Sequence, residues 1–238
     1  MSTILLRGTL SNLERSRRSH SFVLTQVQQQ HVGAAALGSS AMGMGAAGIG
    51  LLNMTANSDE EADWVQFELD GKQVQGWLWM MPMRNGDSVE VVAQQVGTDR
   101  YIAYSVKRDG DDIVAVYPHA TAGRKAHYRN MTRMMLWAFC IIFPLFSLMF
   151  YFAGGGFGGD ALAFFLMLGA IGIGGFLMFC VLFYRAARKL MGFVRIAETV
   201  FKTYGWPDVE VIDLRATSRA NRRENTLSNF GRYYFRYK

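Results

Sequence analysis

Two apolar stretches decide the fold of this chain: residues 134–153, MMLWAFCIIFPLFSLMFYFA, and residues 161–184, ALAFFLMLGAIGIGGFLMFCVLFY. Twenty residues of helix measure about 30 Å, which matches the hydrocarbon core of a bilayer. Between the stretches lies GGGFGGD, residues 154–160, and glycine at that density ends helices and forms a turn. The pattern predicts a transmembrane hairpin over residues 134–184 rather than one long buried helix.

The composition of the 238-residue chain is segregated around this hairpin. Its mean hydropathy of +0.08 and its 50% apolar content are those of an ordinary soluble protein. Asp160, however, is the one charged residue in the 134–184 window, which also holds 11 of the 17 Phe. This segregation disfavours a soluble protein with a single core, and the composition excludes collagen-like, coiled-coil and wholly disordered classes.

Positive charge flanks the hairpin on both sides and predicts its orientation. Residues 185–238 carry 12 Lys+Arg and 5 Asp+Glu, and the rest of the chain has a net charge of −1. Because Lys and Arg beside spans stay cytoplasmic, both hairpin ends are expected to face the cytoplasm and Asp160 the other side. The basic residues expected at the membrane surface are Arg124, Lys125, Arg129, Arg133, Arg185, Arg188 and Lys189.

The region before the hairpin reads as a small antiparallel β domain, in two parts, residues 1–31 and 57–123. Alternating apolar and polar residues predict strands, and Asp70-Gly71 is a tight-turn signal between two of them. Seven short strands at this spacing favour an OB-like barrel or a sandwich, and therefore an α+β membrane protein. The predicted strands cover residues 3–10, 21–27, 65–69, 73–80, 89–93, 101–106 and 113–117.

A Gly/Ala-rich apolar insert, residues 32–56, interrupts this domain. Small residues four apart form a glycine zipper that lets helix backbones approach closely in lipid, and Gly38, Gly43, Gly45 and Gly50 belong to it. Three interpretations stay open: a loop or helix lying on the barrel or the membrane surface, insertion under some conditions, and a constitutive span. The last is disfavoured because a third span would carry the basic C-terminal segment outside.

Within the hairpin, two features bear on helix packing. Pro144 is expected to kink the first helix. Gly169, Gly172 and Gly174 give the second helix a face of small residues. That face is suited either to self-association or to packing on the first helix, and the sequence leaves both open.

The last segment, residues 185–238, reads as a cytoplasmic amphipathic helix followed by a basic, aromatic tail. Leu190, Val194, Ala197 and Phe201 share one helix face, which predicts a helix running along the membrane surface. The Arg and aromatic residues of the tail fit anionic lipid better than nucleic acid, because a membrane hairpin lies just upstream.

No pattern in the chain points to catalysis, a cofactor or a metal. Nucleophile-elbow, P-loop, dinucleotide and zinc-protease motifs are absent, and His20, His31, His119 and His127 do not pair with Cys or carboxylates at ligand spacing. The acidic residues 59–63 lack calcium-loop spacing and are interpreted as a solvated linker. We therefore expect a non-enzymatic protein without cofactor or metal.

The order of these features resembles a bacterial family of small membrane proteins assigned to type VI secretion systems as effectors. The resemblance covers nearly the whole chain through motifs that are individually weak. They are Leu5-x-x-Gly8, the Gly/Ala-rich insert with its acidic exit, Leu69-Asp70-Gly71, Gly86-Asp87-Ser88-Val89-Glu90-Val91-Val92, Pro118-His119, Gly123-x-x-Ala126-His127, the hairpin and the basic-aromatic end.

The resemblance implies a Gram-negative host and an antibacterial secretion locus. The flanking charge separately predicts an inner-membrane protein with both termini cytoplasmic. Three functional hypotheses follow from these features together. The first is a membrane-acting, non-enzymatic effector whose glycine zipper self-associates in the bilayer. The second is an immunity or accessory protein whose barrel binds a cognate toxin or a component of the secretion system. The third is a membrane-anchored OB-like module with a housekeeping role.

Overall fold

The computed structural model describes residues 3–20, 22, 60–153, 161–220 and 229–237. Outside these residues lie the predicted insert, with Gly38, Gly43, Gly45 and Gly50, the Gly-rich turn with Asp160, and all of the predicted strand 21–27 except Phe22. The chain divides into two compact units: Met1–Arg124 with Met191–Lys238, and Lys125–Leu190.

The described residues contain seven strands and four helices. The strands are β1 (Ile4–His20), β2 (Glu60–Leu69), β3 (Lys72–Leu78), β4 (Ser88–Gln95), β5 (Arg100–Arg108), β6 (Ile113–Val116) and β7 (Phe235–Arg236). The helices are α1 (Arg124–Ala153), α2 (Ala161–Lys189), α3 (Met191–Thr203) and α4 (Leu214–Ala220).

Five strands of the first unit close into a barrel. β1 pairs antiparallel with both β2 and β4, β2 pairs with β3, and β4 pairs with β5. A short parallel pairing between β3 and β5, from Gln73↔Arg100 to Gln75↔Ile102, completes the ring. The order β1-β2-β3-β5-β4 is that of an OB-like barrel, one of the two architectures that the strand spacing favoured.

Local sequence explains the hairpin that starts this barrel. Val65, Phe67 and Leu69 are buried and Gln66 is exposed, as the alternation predicted. Asp70 and Gly71 both have positive φ angles, 47° and 84°, the geometry of the tight turn that joins β2 to β3. Where β3 meets β5, a Cβ on Gly76 would lie 2.4 Å from the carbonyl oxygen of Ala103. Glycine is therefore required where the barrel closes.

Two predictions for the first half of the barrel are wrong. The strand that begins near the N-terminus does not end at residue 10. It continues to His20 past an irregularity between Ser11 and Glu14, where Asn12 has a φ of 52°. Such a bulge bends a strand, and β1 thereby serves two partners. The acidic residues from Glu60 onward form the start of β2 rather than a solvated linker.

Met191–Lys238 belongs to the barrel unit, which corrects the interpretation of the amphipathic helix and the tail as lying on the membrane surface. The apolar face of α3, including Val194, Ala197 and Phe201, is buried as the periodicity predicted. Ala197 and Phe201 belong to a second core with Val92 of β4 and Val116 of β6, so they pack on protein rather than lipid. The tail adds β7 to the sheet edge through Val114↔Phe235, and Tyr234 and Phe235 are buried.

The second unit contains the two long apolar helices. The stretches Arg124–Phe152 and Leu162–Lys189 are each long and apolar enough to cross a membrane, with mean hydropathies of 2.1 and 2.4 in their most apolar windows. Pro144 lies inside α1, which runs without interruption to Ala153. The two helices correspond to those predicted on either side of the Gly-rich turn.

Candidate functional site: an uncovered apolar surface and a polar barrel face

The side chains of α1 and α2 are largely uncovered. Only 6% of the apolar window of each helix is buried. Trp137 and Phe152 on α1 are 72% and 69% exposed, and Ile173 on α2 is 68% exposed. Soluble monomers rarely leave a continuous apolar surface of this extent in water.

Aromatic side chains join the two helices to each other. The ring of Phe139 on α1 lies 5.2 Å from that of Phe176 and 5.9 Å from that of Phe179, both on α2. A Cβ on Gly172 would lie 2.8 Å from Cζ of Phe143. Gly172 therefore packs against α1.

The other two predicted packing glycines lie elsewhere on α2. A Cβ on Gly169 or Gly174 would meet no atom of the described residues within 4 Å. Of the three predicted packing glycines, α1 therefore covers Gly172 and leaves Gly169 and Gly174 uncovered.

The predicted membrane-surface basic residues have different surroundings. The backbone N–H of Arg124 donates to Oε1 of Glu198 at 2.8 Å, and its guanidinium pairs with Glu210. Arg124 is therefore held by acidic groups of the barrel unit. Arg188 lies over the ring of Tyr184 at 5.9 Å. Lys125, Arg133 and Arg185 are exposed, and Lys189 is half-buried.

Within the barrel unit, the residues just before α1 are bonded to the residues just before α4. Ala122 and Asp213 form an antiparallel bridge. The N–H of Gly123 donates to the carbonyl of Ile212 at 2.9 Å, and the N–H of Leu214 to that of Thr121 at 2.9 Å. Asp213 Oδ1 also accepts the N–H of Ala216 at 3.1 Å and so caps α4. The segment that precedes α1 is therefore tied to the segment between α3 and α4, which follows the two long helices in the sequence.

His119, one of the four histidines without a partner at metal-ligand spacing in the sequence, makes several side-chain contacts. Its Nε2 lies 2.5 Å from Oε2 of Glu60, and its ring packs between Trp79 and Phe193. Its φ of 64° is uncommon for a residue with a side chain. The contacts join the start of β2 to the loop after β6, which sequence spacing did not reveal because the partners are 59 residues apart.

Ion pairs also hold the start of β2, where the acidic cluster lies. Arg17 on β1 pairs with both Glu61 and Asp63. Its hydrogen bond with Glu61 raises the pKa of Arg17 against the opposing effect of burial. Asp63 also accepts the N–H of Met81 at 2.9 Å. Among the described residues, no group of three or more His, Cys, Asp or Glu is placed to hold a metal ion.

The outer face of the β2–β3 hairpin contains a polar cleft of about 390 Å³. Its polar lining comes from β1, β2, β3 and the start of β5. These residues are Asn12, Gln66, Glu68, Gln73, Gln75 and Arg100. None of them was predicted as a binding residue from the sequence, because scattered amides on strands form no motif.

Comparison of the chain with protein-family models, with curated proteins and with solved structures found no match. The resemblance to secretion-system effectors therefore rests on the quoted motifs alone.

Proposed function

We propose that the protein is an integral membrane protein in which α1 and α2 form a transmembrane hairpin that anchors an OB-like binding module to one side of the bilayer. The observation that carries this proposal is the apolar surface of two adjacent helices of spanning length, with 6% of each apolar window buried. Lipid suits such a surface, since a helix pairs nearly all of its backbone groups internally and exposes mainly its side chains.

The junction between barrel and hairpin supports an arrangement with both hairpin ends on the same side. Residues on either side of the hairpin are bonded to each other through Ala122↔Asp213 and through Gly123 and Ile212. β6 and β7, which come from before and after the hairpin, are also paired. A single crossing would separate these partners, so the barrel can fold only if the chain crosses an even number of times between them.

The same reasoning bears on the interpretations left open for the insert. β1 and β2 pair from Leu10↔Leu69 to His20↔Glu60, so the chain departs from and returns to one end of this strand pair. A single crossing between His20 and Glu60 would put the two strands on opposite sides of the bilayer. Of the three interpretations, a constitutive single span therefore has the least support.

Extraction tests the membrane anchor. The double substitution Ile173→Arg with Leu177→Arg places two charges on the exposed face of α2, where each costs about 3 kcal/mol in a bilayer centre. We expect the variant to leave the membrane fraction under an alkaline carbonate wash that retains the wild type. The matched control is Val96→Arg with Val211→Arg, which changes two exposed apolar residues of the barrel unit.

Release of the wild-type chain by carbonate, or equal release of the two double variants, would contradict the proposed membrane anchor.

Reporter fusions after Lys238 and at Asp160 test the orientation. We expect a cytoplasmic signal at Lys238 and a signal from the opposite side at Asp160, because the basic residues flank the helices on the barrel side. Signals from the same side at both positions would contradict a hairpin.

The effector and immunity hypotheses stay predictions. The first depends on the glycine zipper, which lies outside the described residues, and the second on an unidentified toxin or secretion component. We expect an effector to arrest the growth of a host that lacks the secretion system, with loss of membrane potential, and Gly43→Leu with Gly45→Leu to abolish the arrest. Absence of toxicity together with protection against a neighbouring toxin favours the immunity role.

A further inference from the structure

We infer that the polar cleft on the β2–β3 face is a binding site for an uncharged, polyhydroxylated ligand, that is, a short glycan chain. The cleft measures about 390 Å³, within the range of small-ligand sites. It lies on the outside of the barrel, where side chains of β2 and β3 that alternate with the core residues Phe67 and Val74 project outward.

Four of the eight lining residues have amide side chains, and the core residues Phe67 and Val74 also contribute to the lining. Gln66 faces Gln75 across the β2–β3 pair, and Glu68 faces Gln73. An amide both donates and accepts hydrogen bonds, as does a sugar hydroxyl, so adjacent hydroxyls can be bound by one planar amide group. Amides arranged across a strand pair are therefore well matched to a row of hydroxyl groups.

The hydrogen-bonding capacity of this face is largely unused within the protein. Asn12 Nδ2 donates to Oε2 of Glu68 at 3.0 Å, which orients the carboxylate. Among the described residues, no hydrogen bond or ion pair is made by the side chains of Gln66, Gln73, Gln75 or Arg100. These groups are available to a ligand at the cost of displacing water only.

An aromatic pair extends the same face. Trp64 lies opposite Trp77 in the β2–β3 pair, two residues along the strands from Gln66 and Gln75. Side chains two apart share a face and are separated by about 6.7 Å. The two indole rings lie 5.1 Å apart, both are half-exposed, and Phe22 packs edge-on against Trp77 at 5.4 Å. The two indole rings are inclined to each other by 61°, so each presents its own half-exposed face beside the hydrogen-bonding groups. Such a face suits a sugar ring, which has an apolar face and a polar rim.

Charge and backbone pairing disfavour other ligand classes. The two charges of the lining, Glu68 and Arg100, cancel, whereas a nucleic acid requires several cations along its phosphates. Strand addition by a peptide requires an unpaired sheet edge. β2 is paired on both sides, and β3 pairs with β5 at Gln73–Gln75, where the cleft lies.

Ligand-observed saturation-transfer NMR on the full chain tests this site. The protein is purified in lauryldimethylamine oxide, because sugar-based detergents would occupy a glycan site, and maltotriose, cellotriose and chitotriose serve as probes. We expect transfer to the ring protons of at least one trisaccharide. The double variant Gln66→Ala with Gln75→Ala should weaken binding of that trisaccharide about tenfold. This is the loss expected when two neutral hydrogen bonds, each of slightly less than average strength, are removed.

Matched variants separate binding from folding. Gln94→Ala removes an amide on β4, outside the cleft, and should bind as the wild type does. Trp64→Ala should weaken binding whereas Trp64→Phe, which keeps an aromatic ring, should retain most of it. Three outcomes would overturn the proposal. They are saturation transfer to an oligothymidylate but not to the sugars, no transfer to any of the three trisaccharides, and undiminished binding by the Gln66/Gln75 variant. Because binding is measured in detergent, these outcomes do not depend on whether α1 and α2 cross a bilayer.

Discussion

Ala122 and Asp213, which lie on opposite sides of the two long helices in the sequence, are neighbours in the barrel unit and form an antiparallel bridge. The adjacent bond from the N–H of Gly123 to the carbonyl of Ile212 extends this contact. The hairpin is therefore an insertion into the barrel domain rather than an appendage at one end. Folding of the barrel unit needs both flanking segments, because α3 and β7 cover part of its sheet.

Gly123→Ala tests the tightness of this junction. The new Cβ would lie 2.0 Å from the carbonyl oxygen of Val209 and 2.8 Å from Cα of Glu210, so backbone would have to move. We expect a loss of about 1–3 kcal/mol in the free energy of unfolding, measured by urea denaturation in detergent. Gly97→Ala is the control, since its Cβ would make an ordinary contact of 3.6 Å, and equal effects of the two substitutions would contradict a tight junction.

Gly172→Leu and Gly169→Leu distinguish the two uses of the small-residue face. Leucine at position 172 would collide with the ring of Phe143, whereas position 169 is open among the described residues. We expect only Gly172→Leu to lower the thermal midpoint of the protein in detergent, because overpacking separates α1 from α2. An equal loss for Gly169→Leu, accompanied by dissociation of an oligomer in size-exclusion chromatography, would indicate instead that this face binds a second copy.

Asp111→Asn tests the contribution of an ion pair to stability against acid. Burial alone would raise the pKa of Asp111, but its hydrogen bond with Arg108 and the N–H of Ile113 outweigh burial and hold this pKa below its ordinary value. A carboxyl whose pKa is lowered by folding stabilises the protein above its unfolded pKa, and this stabilisation is lost as the pH falls through the folded pKa.

We therefore expect the urea midpoint of the wild type to fall between about pH 5 and pH 3, and that of Asp111→Asn to fall less steeply over the same interval. Asp99→Asn, an exposed carboxyl on the β4–β5 loop, serves as the control and should leave the slope unchanged. Identical slopes for the wild type and Asp111→Asn would show that the pair with Arg108 does not contribute.

A charge exchange tests the assignment of Arg124 to the barrel. Its guanidinium pairs with Glu210 at a largely exposed site, so Arg124→Glu should cost no more than about 1 kcal/mol, and Glu210→Arg should restore much of the loss. The measurement is a double-mutant cycle of unfolding free energies. Arg129→Glu combined with Glu210→Arg is the control and should show no coupling. Strict additivity for the first pair would contradict the ion pair.

Most of the strands were predictable because each has a local signal. The alternation from Val65 to Leu69 and the Asp70-Gly71 turn define a hairpin whatever surrounds it, and the structure confirms both. The buried face of α3 was predictable for the same reason, since helical periodicity is a property of a single segment. What covers that face was not predictable: the same stripe fits lipid or protein, and here it packs on Val92 and Val116.

The candidate sites divide in the same way. The two long apolar helices were predictable from composition, because each is an uninterrupted run of apolar residues. The polar cleft does not, because Asn12, Gln66 and Arg100 come from three strands and meet only through the pairing of β1 with β2 and of β3 with β5. His119 and Glu60 were missed for the same reason.

The amino-acid sequence by itself determined the elements whose physics is local: the two long apolar helices, the strands β2 to β6, the tight turn at Asp70-Gly71 and the amphipathic character of α3. The tertiary structure alone decided how distant segments combine. It closed the barrel through β3 and β5 and bent β1 between two partners. It also placed α3 and α4 in the barrel unit and added β7 to the edge of its sheet. The physical reason is that periodicity specifies which face of a segment is buried, whereas the partner on that face is chosen by the packing and backbone hydrogen bonds of the whole chain.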